Sequence, residues 1–332
     1  MNRIVTFLKK ESIFTIIAIL AIISCFFVKP SAAYLDYINW KTIILLFVMM
    51  VIVQTLNVLG IFNKLVYILL NKVKTTRNLV FVLVFICFFT SILITNDIAL
   101  ITFVPFAIIA LKKANSEHLM IYTVVLQTIG ANMGSMLLPT GSPHNILAYT
   151  VSGVPFYSFM LLLLPYVVIS GIFLFILCLI VKSKEIDIEI KEEANTGNES
   201  FFKQVFCGVD YVLLLTFIAF FIFTGNIENI EAISLIFKNI IVGNELVCSI
   251  LASQVISNVP ATMLITGFST NYEPIIIGIN IGGLGSLVAS LANLISYKIY
   301  VNEYPDSKLK FIKEFSIYNV VLMVILLIYL II

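Results

Sequence analysis

The chain is poor in the residues on which most soluble folds and metal sites depend. Only 11% of its 332 residues are charged, against about 25% in soluble domains, and it has one tryptophan and two histidines. A zinc motif of the His-Glu-x-x-His type is absent. The five cysteines stand singly, without a Cys-x-x-Cys pair, so the sequence indicates neither disulfides nor a structural metal. The net charge of +2 gives no reason to expect a nucleic-acid partner.

Apolar residues make up 61% of the chain, and phenylalanine alone occurs 27 times. Many uncharged windows reach about 20 residues, the length of a helix that crosses the apolar core of a bilayer. The sequence therefore predicts an all-α polytopic protein of the plasma membrane, with the lipid bilayer as a partner. Residues 12–28 follow two lysines, as in a signal peptide, but the run is long for one and further membrane segments follow. We interpret it as a retained first helix.

Charged and polar stretches divide the chain into two predicted repeats. The first, with the N-terminal helix, covers residues 1–181, and the second covers residues 209–332. The polar residues 182–208 predict a flexible cytoplasmic linker between them. Two stretches of mixed character, 60–74 and 228–242, suit helices that lie in the membrane interface.

Each predicted repeat contains a short apolar pair and a longer helix, both broken by polar or small residues. We predict re-entrant hairpins with tips at residues 95–97 and 257–260, and broken helices at residues 119–150 and 274–297. With a cytoplasmic N-terminus, this topology places seventeen of the twenty Lys and Arg residues inside, as the positive-inside rule requires. The first hairpin then enters from the cytoplasm and the second from outside, so the two repeats are inverted.

Residues of the two predicted repeats match at constant offsets. At an offset of 148, the matched pairs are Asn132 with Asn280, Gly134 with Gly282, Ser142 with Ser290, and Asn145 with Asn293. At an offset of 162, they are Ser91 with Ser253, Thr95 with Ser257, and Asn96 with Asn258. Inverted repeats with paired broken helices are typical of secondary transporters, which therefore form the predicted class.

Broken helices supply free backbone groups inside a membrane protein. Their carbonyls can ligate a cation, and their N–H groups can hold an anion. Because Ser91 and Thr95 lie one turn apart, both hydroxyls face the same side of the first hairpin. The oxygen atoms available for a first cation cage come from Ser91, Thr95, Asn96 and the carbonyls near Gly141. Those available for a second cage come from Ser253, Ser257, Asn258 and the carbonyls around Ala289.

Four stretches resemble the ion transporter superfamily, which includes divalent-anion–sodium symporters, citrate transporters and arsenite permeases. They are TNDIALITFVPF, NMGSMLLPTGSPHN, SQVISNVPATMLITGF and NIGGLGSLVASLANLISY. The resemblance covers both motif-bearing halves, and its motifs are more specific for the superfamily than for a substrate. It implies a homodimer that works by an elevator-like movement, with sodium in the two cages. The substrate contacts that it implies are Asn96, Ser142, Asn258 and Ser290, to which we add Asp97, Asn145 and Asn293.

The chain departs from the symporter pattern at both tips. Asp97 stands where the symporters carry threonine, and Val259-Pro260 replaces the second threonine. A carboxylate beside a dicarboxylate would repel it unless it is protonated or paired with a cation. We therefore predict a cation-coupled secondary transporter of a small anion, either a di- or tricarboxylate or an oxyanion. A proton-coupled arsenite or antimonite exporter and a sodium/proton antiporter are the alternatives, so sodium ions and protons both stay open as coupling ions, with no other cofactor.

Structural roles compete with these assignments. Asp is a preferred N-cap residue, so Asp97 can simply cap the second arm of its hairpin. Asn96 and Asn258 can hold the tips by interhelical hydrogen bonds, and His144 can be either a proton site or a structural donor. A channel does not need two matched hairpins. An intramembrane aspartyl protease needs two acids at membrane depth, whereas Asp97 is the only convincing one, so we expect no enzyme.

Overall fold

The computed structural model describes residues 11–70, 72–186 and 200–331. Within these residues the chain is helical, and its only β pairing is an isolated bridge between Thr75 and Glu185. The all-α prediction is therefore confirmed. Four helices come first: α1 (Ser12–Cys25), α2 (Tyr34–Tyr37), α3 (Trp40–Val58) and α4 (Ile61–Leu70).

The next five helices contain the first predicted hairpin and the first predicted broken helix. They are α5 (Thr76–Leu93), α6 (Asn96–Lys113), α7 (Met120–Ser135), α8 (Pro143–Ser152) and α9 (Phe156–Ile180). A 3₁₀ turn at Pro139–Gly141 separates α7 from α8. Proline cannot continue a helix because it lacks the N–H donor, which explains why the helix breaks here.

The second half of the chain repeats this order of elements. Its helices are α10 (Phe201–Cys207), α11 (Tyr211–Glu228), α12 (Glu231–Ile241), α13 (Glu245–Ile256), α14 (Asn258–Phe268), α15 (Tyr272–Ile281), α16 (Leu291–Glu303) and α17 (Lys308–Ile331). A 3₁₀ turn at Leu287–Ala289 separates α15 from α16, 148 residues after its counterpart in the first half.

Among the described residues, five helices are long and apolar enough to cross a membrane. They are α3, α5, α9, the stretch Phe201–Glu228 that includes α11, and the stretch Pro305–Ile331 that includes α17. A sixth crossing is counted if α12 and α13, which meet at an angle of 110°, are taken as one broken span. The chain is thus a polytopic membrane protein.

The two predicted hairpins differ in length. Helix α5 has 18 residues and is long and apolar enough to cross a membrane, whereas we expected this segment to be too short to span it. Helices α13 and α14 have 12 and 11 residues, so at 1.5 Å per residue each measures about 18 Å or less. That is short of the roughly 30 Å apolar core of a bilayer. The re-entrant form and the inversion of the repeats stay predictions.

The predicted linker at residues 182–208 is partly structured. Residues 201–207 form α10, whose Val205 is buried, so the flexible loop does not extend to residue 208 as we expected. Ser200 caps this helix by accepting a hydrogen bond from the Lys203 N–H. The apolar residues of α10 give it a face to bury, which explains its helical structure. Residues 187–199 of the predicted linker lie outside the described residues.

The core is densest where α5 packs against α7. An added Cβ at Gly134 would overlap the carbonyl oxygen of Phe88, so only glycine fits at this crossing. Helix association inside a membrane depends on such close backbone approach, because lipid is as apolar as the helices themselves. The close approach brings the end of α5, where the first hairpin turns, next to the end of α7, where the first broken helix is interrupted.

Candidate functional site

The first hairpin turns through two residues in extended conformation. Ile94 and Thr95 interrupt the helix, and α6 begins at Asn96. Thr95 occupies the N-cap position without a capping hydrogen bond from its side chain, and Asp97 lies one position inside the first turn. The interpretation of Asp97 as the N-cap residue is therefore wrong. The extended Ile94-Thr95 pair moves the cap two residues upstream.

The second hairpin turns through a single residue, Ser257. Its φ of +72° and ψ of 153° belong to a region that glycine, but hardly any other residue, adopts. Its hydroxyl oxygen is buried and has no hydrogen-bond partner among the described residues. A strained backbone costs about 1–3 kcal/mol and clusters at ligand and switch sites. Ser257, which matches Thr95 of the first hairpin, thus has both a strained backbone and a buried hydroxyl without a partner among the described residues.

A first network of asparagines joins the two broken helices. Asn132 of α7 donates from Nδ2 to the Asn293 Oδ1 of α16, at 2.7 Å. Asn293 in turn donates to the carbonyl oxygens of Gly283 and Ser286, both at 3.0 Å. These two carbonyls belong to the nonhelical break between α15 and α16. The Asn293 side chain thus ties the break to a helix of the other half.

A second network makes the reciprocal connection. Asn280 of α15 donates from Nδ2 to Asn145 Oδ1 at 2.7 Å, and Asn145 donates back to Asn280 Oδ1 at 3.2 Å. Asn145 Nδ2 also lies 3.5 Å from the carbonyl oxygen of Ser135, which borders the first break. The His144 Nε2 approaches Asn280 Oδ1 to 3.3 Å and Ser142 Oγ to 3.1 Å.

The two networks correspond residue by residue at the offset of 148. Asn132 matches Asn280 and Asn145 matches Asn293, so each cross-half pair maps onto the other with its members exchanged. The carbonyls that they hold, Ser135 O and Gly283 O, also match at 148. The correspondence therefore extends from the sequence to individual hydrogen bonds.

Glycines next to the hairpins correspond in the same way. A Cβ added at Gly134 would overlap the hydroxyl oxygen of Ser91, and one added at Gly282 would lie 2.9 Å from that of Ser253. Gly282 matches Gly134 at 148, and Ser253 matches Ser91 at 162. In each half, a glycine of the broken helix thus lets it pack against the serine of the neighbouring hairpin.

The structure brings several of the predicted substrate contacts together. Asn96 donates to Asn132 Oδ1 at 3.0 Å, and Ser290 donates to the same oxygen at 3.3 Å. Asn258 lies beside the second break, since its Nδ2 is 3.3 Å from the place of a Cβ on Gly283. Asn132, which was not among the predicted contacts, is the centre of this group, and its match with Asn280 was the signal for it.

The predicted cation ligands are buried at the two breaks. In the structure the hydroxyls of Ser91 and Ser253 donate to carbonyls of their own helices, Phe88 O at 3.0 Å and Ser249 O at 2.7 Å. Gly141 packs directly on the backbone of Ser135, and Ala289 is fully buried in the second 3₁₀ turn. Each half thus has side-chain hydroxyls of its hairpin and backbone carbonyls of its helix break in buried positions.

A cavity of about 380 Å³ reaches the first hairpin. Thr95 and Asp97 line it, and so do the charged residues Glu11, Asp210 and Lys298. The Asp97 carboxylate is half-buried and makes no hydrogen bond or ion pair with the described residues. A partly exposed acid that lines a cavity is accessible to a cation or a proton.

Comparison with known proteins identifies the family of the chain. The family model described as "Citrate transporter" matches residues 4–274, which is most of the chain. The chain belongs to the citrate transporter family. A transporter of the archaeon Methanocaldococcus jannaschii, uncharacterized transporter MJ0456, is 32% identical over 79% of this chain and 81% of its own length. Inner membrane protein YbiR of Escherichia coli is 28% identical over 79% of this chain and 80% of its own.

A third relative matches a smaller part. The Dictyostelium discoideum protein named as the transporter arsB is 34% identical over 37% of this chain and 21% of its own length. Membership of the citrate transporter family makes the chain a membrane transporter rather than an enzyme, and it implies a small-molecule substrate. The resemblance to the ion transporter superfamily is thereby confirmed.

Proposed function

We propose that this citrate-transporter-family protein is a cation-coupled secondary transporter of a small anion that works by alternating access. The observation that carries the proposal is the matched pair of hairpin tips beside matched helix breaks, with Ser257 strained and its hydroxyl unpartnered. A hydroxyl without a hydrogen bond is costly in a buried place, and a bound cation would use its free oxygen. The coupling ions would be sodium or protons.

Each cation site is proposed to combine a hairpin hydroxyl with carbonyls of the neighbouring break. In the second half, Ser257 and Ser253 lie near the break that contains Ala289. In the first half, Thr95 and Ser91 would combine with the break that contains Gly141. Ser91 and Ser253 would have to release their present intrahelical hydrogen bonds to Phe88 and Ser249, which only a ligand of comparable strength makes favourable.

The substrate is proposed to bind between the two breaks, in contact with Asn96 and Asn258. Ser142 and Ser290 are the N-cap residues of the helices after the breaks, and helix N-termini favour an anion. Asn145 and Asn293 are fully buried, and their amide groups are used by the networks described above. For these two residues the geometry favours holding the breaks in place over touching the substrate.

A second candidate rests on Asp97. Its carboxylate faces the cavity without a partner among the described residues, which favours proton coupling, as in an arsenite or antimonite exporter or a sodium/proton antiporter. We also propose a homodimer in the plasma membrane with a cytoplasmic N-terminus.

Transport by purified protein in liposomes separates the candidates. A sodium gradient and then a pH gradient are imposed, with labelled succinate, citrate or arsenite outside. Uptake of a carboxylate that needs a sodium gradient supports the first candidate. Arsenite flux that follows the pH gradient supports an exporter, and proton flux that needs sodium but no substrate supports an antiporter.

The asparagines of the hairpins test the site. We expect Asn96→Ala and Asn258→Ala each to abolish coupled flux, because each removes a hydrogen-bonding side chain from the proposed substrate site. Asn319→Ala is the matched control, since Asn319 is a buried asparagine of α17 that donates only within its own helix. Full coupled flux in both hairpin variants would show that the proposed site is wrong.

A further inference from the structure

A second cavity, of about 580 Å³, lies away from the helix breaks. It is enclosed by the beginnings of α5, α7 and α17, the end of α9 and the segment that follows α9. Its apolar and aromatic lining consists of Leu119, Tyr122, Leu177, Ile180, Val181 and Tyr318. None of its lining residues belongs to the asparagine networks. The cavity is therefore separate from the asparagine networks at the helix breaks.

Two lysines form a fixed basic rim at this cavity. Lys182 and Lys184 are exposed, and neither has an ion-pair partner within the described ranges. Thr76 holds their backbone in place, because its N–H donates to Lys184 O at 2.9 Å and its hydroxyl donates to Lys182 O at 2.7 Å. The Lys184 N–H completes the connection by donating to the Thr76 hydroxyl at 3.0 Å. The lysines thus belong to an ordered segment.

The cavity is basic overall. His118 adds a third nitrogen-bearing side chain to its lining, and Glu314 is the one acid among the lining residues. Lys310 lies 4.0 Å from the Glu314 carboxylate and offsets its charge. A ligand with negative charge therefore matches the rim, and the apolar lining below the rim matches a ligand that also has a hydrocarbon part.

An exposed apolar stripe of α9 adjoins the cavity. Ile172, Ile176 and Ile180 lie one helical turn apart and are 56%, 51% and 67% exposed. This apolar stripe ends at the cavity, since Ile180 belongs to both. Acyl chains that lie along the stripe would place their head group against Lys182 and Lys184.

We infer that the cavity binds the head group of an anionic phospholipid. The phosphate lies between Lys182 and Lys184, and the acyl chains extend along the apolar stripe of α9. Basic pockets between membrane helices are suited to such lipids, and each lysine adds attraction for an anionic head group. The inference does not depend on the proposed transport function.

The test compares lipids on the whole protein in detergent. We expect phosphatidylglycerol to raise the melting temperature more than phosphatidylcholine does, because only the former has a net negative charge. One lysine near an anionic lipid changes affinity roughly fivefold, so Lys182→Gln with Lys184→Gln should weaken the apparent phosphatidylglycerol affinity about 30-fold. The matched control is Lys64→Gln with Lys308→Gln, which removes the same charge from exposed lysines that do not line the cavity.

Three results would overturn the inference. They are an equal response to the two lipids, an unchanged phosphatidylglycerol affinity in the Lys182 and Lys184 variant, and an equal loss in the control. Inorganic phosphate is titrated separately, and stabilisation by phosphate equal to that by phosphatidylglycerol would mean that the site takes a free anion instead. Native mass spectrometry of the unaltered protein counts retained phosphatidylglycerol independently of any variant, and we expect retention in preference to phosphatidylcholine.

Discussion

Removing the Asn293 side chain tests whether the asparagine networks hold the fold together. Asn293→Ala deletes three hydrogen bonds, one from Asn132 at 2.7 Å and two to the Gly283 and Ser286 carbonyls at 3.0 Å. Such bonds contribute about 0.6–1 kcal/mol each in a membrane protein. The partners that remain are left buried without replacement, which adds about 1–3 kcal/mol. We expect the free energy of unfolding to fall by about 3–6 kcal/mol.

Asn319 supplies the matched control. It is also fully buried, but its amide donates only to Phe315 O within α17, at 2.8 Å, and its carbonyl oxygen has no partner among the described residues. Asn319→Leu removes that unpaired oxygen and keeps the branched shape with the same number of side-chain heavy atoms, so we expect it to be neutral or stabilising. Although both asparagines are fully buried, we therefore expect Asn293→Ala to lower the free energy of unfolding and Asn319→Leu to leave it unchanged or raise it.

Thermal unfolding can be followed by a thiol-reactive dye. Cys87 and Cys178 are fully buried and react only when the bundle opens, whereas the exposed Cys207 gives a constant signal. The reasoning is refuted if Asn293→Ala melts at the temperature of the unaltered protein, or if Asn319→Leu loses as much stability as Asn293→Ala. Either result would mean that the cross-half hydrogen bonds contribute no more than any buried amide.

Three further predictions concern the hairpins. Gly134→Ala should destabilise the protein by about 1–3 kcal/mol, because the added Cβ overlaps the backbone of α5. Gly171→Ala should not destabilise it, because the nearest atom to the added Cβ lies at 3.4 Å, and thermal unfolding compares the two variants. Ser257→Gly should raise the free energy of unfolding by about 1 kcal/mol or more, because glycine adopts a positive φ without strain. The same variant should lower coupled flux because it removes the hydroxyl, and unchanged flux would contradict the proposed cation site. Asp97→Asn should abolish the pH dependence of flux if protons are the coupling ion, and transport measured across a range of pH values decides this.

The positions of the helix breaks could be predicted from the sequence to within a few residues. Polar residues inside apolar runs marked both hairpin tips, and Pro139 marked the first break, since neither fits the interior of a membrane helix. The second break has no proline, and its position was less certain from the sequence; a 3₁₀ turn at Leu287–Ala289 lies there, 148 residues after the first. These features are local, which is why a single sequence contains them.

The partners of the asparagines could not be predicted. Asn132 bonds to Asn293, which is 161 residues away, and this choice depends on how the two halves pack. Helix α10 was missed because its short apolar stretch stands in a polar context, and its helical structure depends on burial of Val205. The N-cap at Thr95 was missed because Asp is a preferred N-cap residue, which favoured Asp97. The extended backbone of Ile94 and Thr95 instead makes the helix begin at Asn96.

The correspondence between the halves also shows where they differ. Asn96 and Asn258 match, and so do the serines and glycines beside them, so both halves can offer the same oxygen atoms to a cation. At the next position, Asp97 faces the cavity, whereas its match at 162, Val259, is buried and apolar. A function that both halves share can therefore depend on the asparagines and hydroxyls, but a function that depends on a carboxylate at a hairpin tip belongs to the first half alone. Proton coupling through Asp97 would accordingly operate at the first hairpin, which lines the cavity.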